Sequence, residues 1–467
     1  ASLSTGGRHA GRGGTGAVMG AKQLKAVAVR GHKQAEPARP GEVRRAAKDL
    51  SARSFGPATE KYRELGTVAN LLVFNRLAVL PTRNFQQSRF AGAAALSGEQ
   101  LGGLRGAARA SCAACTIGCE HIYGVRRDGK AQNVRMEYET LFALGPLCGV
   151  EDSSTVLKAA ALCDELGMDT ISAGATIAFA MECVEKNLLD PENPPPLPSI
   201  RGKRSRKNEE AGMSPVGTRT VSVSTMAEER AQPAALSFGN GAAVLDLLVR
   251  MANRDGLGDL LAEGSRRAAR AIGGGAANFA PHVKGLEMPG YEPRGLQAMA
   301  LGLAVGARGA DHNRSSAYEV DFSEGSDRME GNVKTARRAV ETEDRAALMD
   351  SLILCKFLRG VFHDFYTEAA KLLAAVTGWD LTAAELRQTS RRIVTARKWF
   401  NEREGWTPAE DTLPRRFLHE KLEEGPSAGA VLSPARLSSM IAAYNSTRGF
   451  TPDGHVPLTL RKAMNIL

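Results

Sequence analysis

The sequence predicts a mainly helical protein with a β remnant at its N-terminus. From about residue 94 onward, apolar residues recur at the i, i+3, i+4 spacing of helices that bury one face, as in residues 154–167 and 243–256. Near the start, only residues 24–31 (LKAVAVRG) alternate and are rich in valine, as a strand should be. A hydrophobic content of 43% over 467 residues suffices for two or three domains.

A glycine-rich segment, residues 11–22 (GRGGTGAVMGAK), precedes this predicted strand. Its backbone N–H groups, flanked by Arg12 and Lys22, suit phosphate or another anion. It lacks the GK[ST] of a Walker loop, and it does not follow a strand as a dinucleotide fingerprint does. Because such a loop normally needs a preceding strand and the chain does not begin with Met, we expect that an N-terminal segment is missing.

Three cysteines lie close together in SCAACTIGCEH, residues 111–121. Thiolates are soft ligands that favour iron–sulfur clusters, zinc and copper(I). Seven cysteines, an odd number, do not resemble a secreted disulfide framework, so we expect a cytoplasmic protein. Spacing alone leaves zinc open, since His121 could complete a zinc set.

A fourth thiolate ligand has one better candidate than the others. Cys148, Cys163 and Cys183 lie in or beside apolar helical runs, where free cysteine usually behaves as a small buried hydrophobe. Cys355, in DSLILCKF, is therefore the preferred fourth ligand.

The net charge of +10 raises the question of a nucleic-acid partner. Much of the excess lies in residues 201–207 (RGKRSRK), inside a Pro-rich and polar stretch at 191–236 that we interpret as a flexible insertion. Because no aromatic residues accompany the basic run, nucleic-acid binding is not expected, and a zinc-stabilised basic nucleic-acid-binding protein is a distant alternative. No segment approaches the roughly 18 consecutive apolar residues of a membrane span, so no membrane association is expected.

Taken together, many segments resemble the aldehyde:ferredoxin oxidoreductase family of tungsten, occasionally molybdenum, bis-pterin enzymes. The matching segments are residues 11–31, 80–85, 112–119, 137–146, 167–182, 256–264, 288–295, 308–315, 400–405, 411–417 and 446–454. The resemblance implies the family's helical domains 2 and 3 in an N-terminally truncated chain. Residues 1–35 would be the end of the pterin-binding β domain, residues 36–281 a helical domain with the cysteines, and residues 282–467 a C-terminal helical domain.

The resemblance also implies the cofactors, a 4Fe–4S cluster and a tungsten (or molybdenum) bis-pterin. The cluster ligands would be the four thiols of Cys112, Cys115, Cys119 and Cys355. The pterin-binding residues would be Arg12, Gly13, Gly14, Asp169, Asp350, Leu354 and Lys356. Ile353 stands where the family usually has glycine, and we expect that isoleucine cannot adopt the positive φ that glycine can.

Aldehyde oxidation needs acid–base groups near the metal, and the resemblance points to the glutamates of EYET and the histidine of RGADH. We expect Glu137 to be the base or water-positioning group, with Glu139 second, and His312 to donate a hydrogen bond or relay the proton. Without the resemblance, a glutamate pair around a tyrosine is usually a surface pattern, and a lone histidine in a glycine-rich loop is usually a turn residue.

The expected function is oxidation of aldehydes to carboxylic acids with ferredoxin or a similar low-potential acceptor. The alternative within the family is the catalytic subunit of an ATP-independent benzoyl-CoA reductase. The expected partners are ferredoxin or an iron–sulfur electron-transfer subunit, a small aldehyde and a second copy of the chain.

Overall fold

A computed structural model describes residues 2–5, 8–103, 108–127, 129–197 and 235–466. Helix accounts for 54% and strand for 7% of the structure, which confirms the mainly helical class. Most of the predicted insertion at 191–236 lies outside the described residues, and so does the basic run at 201–207. In the described ranges, no helix has the length and apolarity that a bilayer span requires.

The helices before the gap at residue 198 are α1 (Thr15–Ala21), α2 (Pro40–Arg53), α3 (Pro57–Glu64), α4 (Asn70–Arg76), α5 (Gly98–Gly102), α6 (Tyr138–Leu144), α7 (Ser153–Leu166) and α8 (Thr170–Glu185). The helices after it are α9 (Gly241–Asn253), α10 (Leu257–Leu261), α11 (Ser265–Ile272), α12 (Gln297–Val305), α13 (His312–Ser315), α14 (Tyr318–Asp321), α15 (Val333–Ser351), α16 (Phe365–Thr377), α17 (Ala383–Arg403), α18 (Arg415–His419), α19 (Pro434–Arg448) and α20 (Leu458–Ala463).

The described strands form three small antiparallel sheets. Their bounds are β1 (Leu3–Thr5), β2 (Arg8–Ala10), β3 (Ala108–Ala110), β4 (Glu120–Arg127), β5 (Lys130–Met136), β6 (His282–Val283) and β7 (Leu286–Glu287). The sheets are β1–β2, β3–β4–β5 and β6–β7. The sequence did not predict the middle sheet, and the cysteine loop 111–119 joins its strands β3 and β4.

The strand predicted at 24–31 is wrong. Residues 24–30 form no strand or helix, and Val27 and Val29 are 70% and 91% exposed. An alternating pattern makes a strand only where a neighbouring strand accepts its backbone hydrogen bonds, and none lies beside this segment in the described structure. The β structure at the N-terminus is instead the β1–β2 hairpin.

The predicted helix at 243–256 is confirmed, but the predicted cap at Gly256 is wrong. Helix α9 ends at Asn253, and Arg254 takes the left-handed conformation with φ of 55°. Gly256, with φ of 51°, precedes α10 instead. The chain therefore turns twice in succession, at Arg254 and at Gly256, where the sequence pattern predicted a single turn.

The core around α8 sets the position of the site. Twelve of the 16 residues of α8 are buried, and a Cβ on its Gly174 would lie 2.3 Å from the carbonyl oxygen of Ala143 in α6. Only glycine permits this backbone approach. Asp169 caps α8, since its Oδ2 accepts a hydrogen bond from Ser172 N at 3.0 Å. The C-terminal end of α6 and the first turns of α8 are thereby held in direct contact.

Candidate active site

Glu139 and His312 form a pair at the starts of two helices. Glu139 lies in the first turn of α6, and His312 is the first residue of α13, which Asp311 caps through Asn313 N at 3.0 Å. Glu139 Oε1 lies 3.5 Å from His312 Nδ1. Both atoms are buried, and neither has a hydrogen-bond partner in the described structure. Such atoms indicate a place where a further polar group belongs.

Burial shifts the two pKa values in opposite directions. It raises the pKa of Glu139 to about 7, although the Gly290 N–H and the Arg12 charge oppose the shift. Burial lowers the pKa of His312 to about 4, against the opposing charge of Asp311. The imidazole is therefore neutral at neutral pH while the carboxyl group titrates there, and such a pair can exchange protons with a bound molecule.

An aromatic stack holds the imidazole in place. The Tyr291 ring lies 5.1 Å from the His312 ring at an interplanar angle of 29°, and Tyr318 lies 5.2 Å from Tyr291 and 6.3 Å from His312, so the three rings form one cluster. Tyr291 belongs to the segment MPGYEPRG, but the sequence did not single it out. No sequence pattern marked it; it follows Gly290, whose N–H donates to Glu139 Oε2 at 2.9 Å.

The predicted glycine loop lies against the same site. Arg12 donates from Nη2 to Glu287 O at 2.8 Å and to Ala310 O, and its Nη1 lies 3.8 Å from Asp169 Oδ2. Its Nε and Nη1 are buried without a hydrogen-bond partner in the described structure. The loop thus offers two unsatisfied cationic N–H donors to a bound anion or polar ring.

Gly13 and Gly14 allow this loop geometry. They have φ of 87° and 70°, a conformation that disfavours side chains. A Cβ on Gly13 would also lie 3.3 Å from Arg308 Nε, whereas Gly14 has open space around it. The sequence did not single out Arg308, which pairs with Asp311 at 3.0 Å.

Lys356 and its partner Asp350 lie near the pair, since the charge of Lys356 helps to lower the pKa of His312. Asp350 Oδ2 accepts from Arg314 Nη1 at 2.6 Å, and Lys356 Nζ lies 3.4 Å from Asp350 Oδ1. Leu354 packs on a hydrophobic cluster built around α15 and α16. The expectation for Ile353 is wrong, because Ile353 adopts φ of 57° with its side chain 92% exposed. The backbone therefore keeps the turn that a glycine would make, at the energetic cost of a β-branched residue in this conformation.

The four predicted cluster thiols share one neighbourhood. Cys112 and Cys355 are exposed, while Cys115 and Cys119 are half-buried. Burial raises the pKa of Cys119 to about 11, and the charges of the other three cysteines act in the same direction. Within the described ranges, no three His, Cys, Asp or Glu side chains stand close enough together to hold a metal ion. The other three cysteines are buried, as predicted.

Glu137 lies on the cysteine side of the site, away from the pair. Its side chain is reached by solvent, yet the surrounding protein raises its pKa, against the charges of Arg135 and Arg8. Its charge raises the pKa of Cys119, whereas Glu139 faces His312. The two glutamates that the sequence offered for one role thus have different neighbours.

The residues present fit the two implied groups. Four thiols that influence one another's pKa values match the donor type of a 4Fe–4S cluster, whose four iron atoms take one thiolate each, so the thiols need not converge on a single metal ion. The unpartnered atoms of Arg12, Glu139 and His312 are polar groups that a bound cofactor and substrate would satisfy.

Comparison with known proteins identifies the family. The family model described as "Aldehyde ferredoxin oxidoreductase, domains 2 & 3" matches residues 43–466. The chain is 34% identical to the tungsten-containing aldehyde ferredoxin oxidoreductase of Pyrococcus horikoshii and 32% identical to that of Thermococcus kodakarensis, in each case over 97% of this chain and 69% of the relative.

A solved structure shares the fold at lower identity. The active-site complex BamBC of benzoyl coenzyme A reductase, with 1,5-dienoyl-CoA, matches with a TM-score of 0.72 and 20% identity over all of this chain and 71% of that one. This match supports the fold alone. Because the family model spans nearly the whole chain and the relatives are a third identical to it, the chain belongs to the aldehyde ferredoxin oxidoreductase family of oxidoreductases, and its residues 43–466 match domains 2 and 3.

Proposed function

We propose that this site oxidises aldehydes to carboxylic acids and passes the electrons to ferredoxin or a similar low-potential acceptor. The observation that carries the proposal is the buried pair of Glu139 and His312, whose facing atoms lie 3.5 Å apart without hydrogen-bond partners in the described structure. The names of the relatives, which are tungsten-containing aldehyde enzymes linked to ferredoxin, support the same reaction.

The cofactors would be held by the residues that the sequence singled out. Cys112, Cys115, Cys119 and Cys355 would hold a 4Fe–4S cluster. Arg12, Gly13, Gly14, Asp169, Asp350, Leu354 and Lys356 would hold the bis-pterin, with tungsten favoured over molybdenum by the relatives' names. When bound, these groups supply the two-electron oxidant and a one-electron relay to the acceptor.

The protein's own residues manage protons and orientation. Conversion of an aldehyde and one water into a carboxylic acid releases two electrons and two protons. The ionised Glu139 accepts a proton from the oxygen nucleophile, and the neutral His312 donates a hydrogen bond to the aldehyde oxygen. We assign the base to Glu139 ahead of Glu137, reversing the order expected from the sequence, because Glu139 is the glutamate that faces His312.

Benzoyl-CoA reduction is the second candidate, favoured by the shared fold with the BamBC complex. The identity of 20% to that structure, against 32–34% to the aldehyde enzymes, makes aldehyde oxidation the better-supported proposal.

The test is to measure tungsten and iron per chain and then to assay the loaded enzyme with an aldehyde and with an aromatic CoA thioester. Aldehyde oxidation that is lost in Glu139→Gln and retained in Glu137→Gln supports the proposal. Activity with the thioester alone favours the second candidate. Zinc as the sole bound metal would refute both.

A further inference from the structure

A single loop, residues 288–291, contacts both members of the proposed acid–base pair. Gly290 N donates to Glu139 Oε2 at 2.9 Å, and the ring of the next residue, Tyr291, stacks on His312 at 5.1 Å. Any shift of this loop would therefore move the carboxylate and the imidazole together. A residue that fixes the position of this loop therefore also fixes the relative positions of Glu139 and His312.

Tyr138 fixes this loop from the side opposite Glu139. Its hydroxyl donates to Gly290 O at 2.5 Å, so the two hydrogen bonds hold the two ends of one residue. A Cβ on Gly290 would lie 2.8 Å from Tyr138 Cε1 and Oη, which shows how closely the ring covers it. The ring is buried and has no freedom to follow a displaced loop.

Tyr138 is itself rigidly held. Its backbone N donates to Thr67 Oγ1 at 2.9 Å, which satisfies the first N–H of α6 in place of a side-chain cap. Its ring packs edge-on against Phe74 at 5.1 Å between the ring centroids. A side chain anchored at its backbone, ring and hydroxyl can transmit a fixed position to Gly290.

We infer that Tyr138 is a positioning residue for the reaction, which holds the Gly290 backbone so that Glu139 and His312 keep their mutual orientation. This inference rests on the proposed function, since it assumes that the pair carries the acid–base chemistry. Tyr138 acts through Gly290 and Tyr291.

The consequence is a shift in the titration of Glu139. The charged and titratable groups around that carboxyl are Arg12, Tyr138, Asp169, Tyr291, Asp311 and His312. The Gly290 N–H stabilises the ionised carboxylate. If loss of the Tyr138 hydroxyl lets Gly290 withdraw, this stabilisation weakens and the carboxyl group holds its proton to higher pH.

The experiment is Tyr138→Phe in the metal-loaded enzyme, which keeps the ring and removes the hydroxyl. We expect the acidic limb of the rate profile to move up by about half a unit to one unit, the effect of one hydrogen bond, with tungsten and iron retained. The carboxyl C=O stretch of Glu139, identified by its loss in Glu139→Gln, should titrate with the same shift in infrared difference spectra.

The matched control is Tyr444→Phe, which removes another buried hydroxyl, bonded to Glu343 Oε2 at 2.7 Å in a different part of the core. It should leave both the pH profile and the infrared titration unchanged. A Tyr138→Phe enzyme with a parental profile and a parental carboxyl titration overturns the inference while Glu139→Gln remains inactive. An active Glu139→Gln enzyme overturns the assignment of the base to Glu139, and a metal-loaded parent enzyme that does not oxidise aldehydes overturns the proposed function itself.

Should Tyr138→Phe not fold, 3-fluorotyrosine at position 138 keeps the ring and makes the hydroxyl a stronger donor. The stronger donor should hold Gly290 more firmly, so the pKa of the Glu139 carboxyl group should fall relative to the parent. An unmoved titration in the folded fluorotyrosine enzyme likewise overturns the inference.

Discussion

Acidification should slow aldehyde oxidation, because Glu139 must be ionised to accept a proton. Burial raises its pKa to about 7, so about half of the molecules hold the proton at that pH. Below it, each pH unit should lower the rate about ten-fold, and at pH 5 about one molecule in a hundred would have the base form. The direction follows from the raised pKa, since the folded protein retains this proton to higher pH than a free glutamate would.

His312 should not contribute to this limb. Its pKa is lowered to about 4, so the imidazole stays neutral across the range in which Glu139 titrates. The profile should therefore show a single ionisation between about pH 5 and pH 8, with the rate rising towards higher pH. The assay is the turnover number at saturating aldehyde with a viologen acceptor, which removes any dependence on protein partner binding.

Substitution separates the two glutamates. Glu139→Gln keeps size and hydrogen bonding but cannot take a proton, so the rate should fall by about 10²–10⁴-fold and the acidic limb should disappear. Glu137→Gln is the matched control, because Glu137 lies two residues away and outside the pair. This variant should keep the acidic limb of the pH–rate profile. A Glu139→Gln enzyme at parental rate, or a limb that disappears only in Glu137→Gln, would refute the assignment.

Three further changes test the rest of the site and its support. Cys355→Ser should lower iron per chain whereas the buried Cys183→Ala keeps it, and parental iron in the serine variant would exclude Cys355 as a ligand. Arg12→Met should lower tungsten per chain, because it removes the unpartnered N–H donors; unchanged tungsten would contradict this role. Burial raises the pKa of Asp321 to about 8, so relative to Asp321→Asn the parent should lose thermal stability as the pH rises from about 4 to about 8. If the difference in unfolding temperature between the parent and Asp321→Asn is the same at both ends of that range, the carboxyl group does not titrate there.

Local patterns predicted the helices but not the end of α9, and they failed where a distant partner decides the structure. Helix α7 and its left-handed end at Gly167 follow from apolar spacing and a terminal glycine. The unpaired segment 24–30 and the missed sheet β3–β5 both depend on which strands meet, which single-segment patterns do not contain.

The choice between Glu137 and Glu139 was also beyond local pattern. Glu137 is the extended residue that precedes α6 and Glu139 lies in the first turn of this helix, so the two side chains face different neighbours. The sequence EYE does not show which of the two glutamates faces His312. That information lies in the approach of residues 288–291, a segment about 150 residues later, to Glu139.

The segment LPTRNF illustrates how a motif can support the site without touching it. Arg83, Asn84 and Phe85 all have positive φ, between 46° and 62°. A left-handed conformation costs roughly 1–2 kcal/mol per non-glycine residue, so the turn needs strong partners. Arg416 Nη1 donates to Asn84 O at 2.6 Å, and Arg294 Nη2 donates to Phe85 O at 2.6 Å.

These partners connect three of the motifs through which the family is recognised. Arg294 belongs to MPGYEPRG, which also contains Gly290, and Arg416 belongs to DTLPRRF. The N–H groups of Arg83 and Asn84 in turn donate to the carbonyls of residues 146 and 147, at 3.1 and 3.0 Å, just after the end of α6. The turn thus ties the C-terminal end of the helix that bears Glu139 to the loop that holds Glu139 at its N-terminal end. The motif LPTRNF therefore supports the position of Glu139 without contacting it.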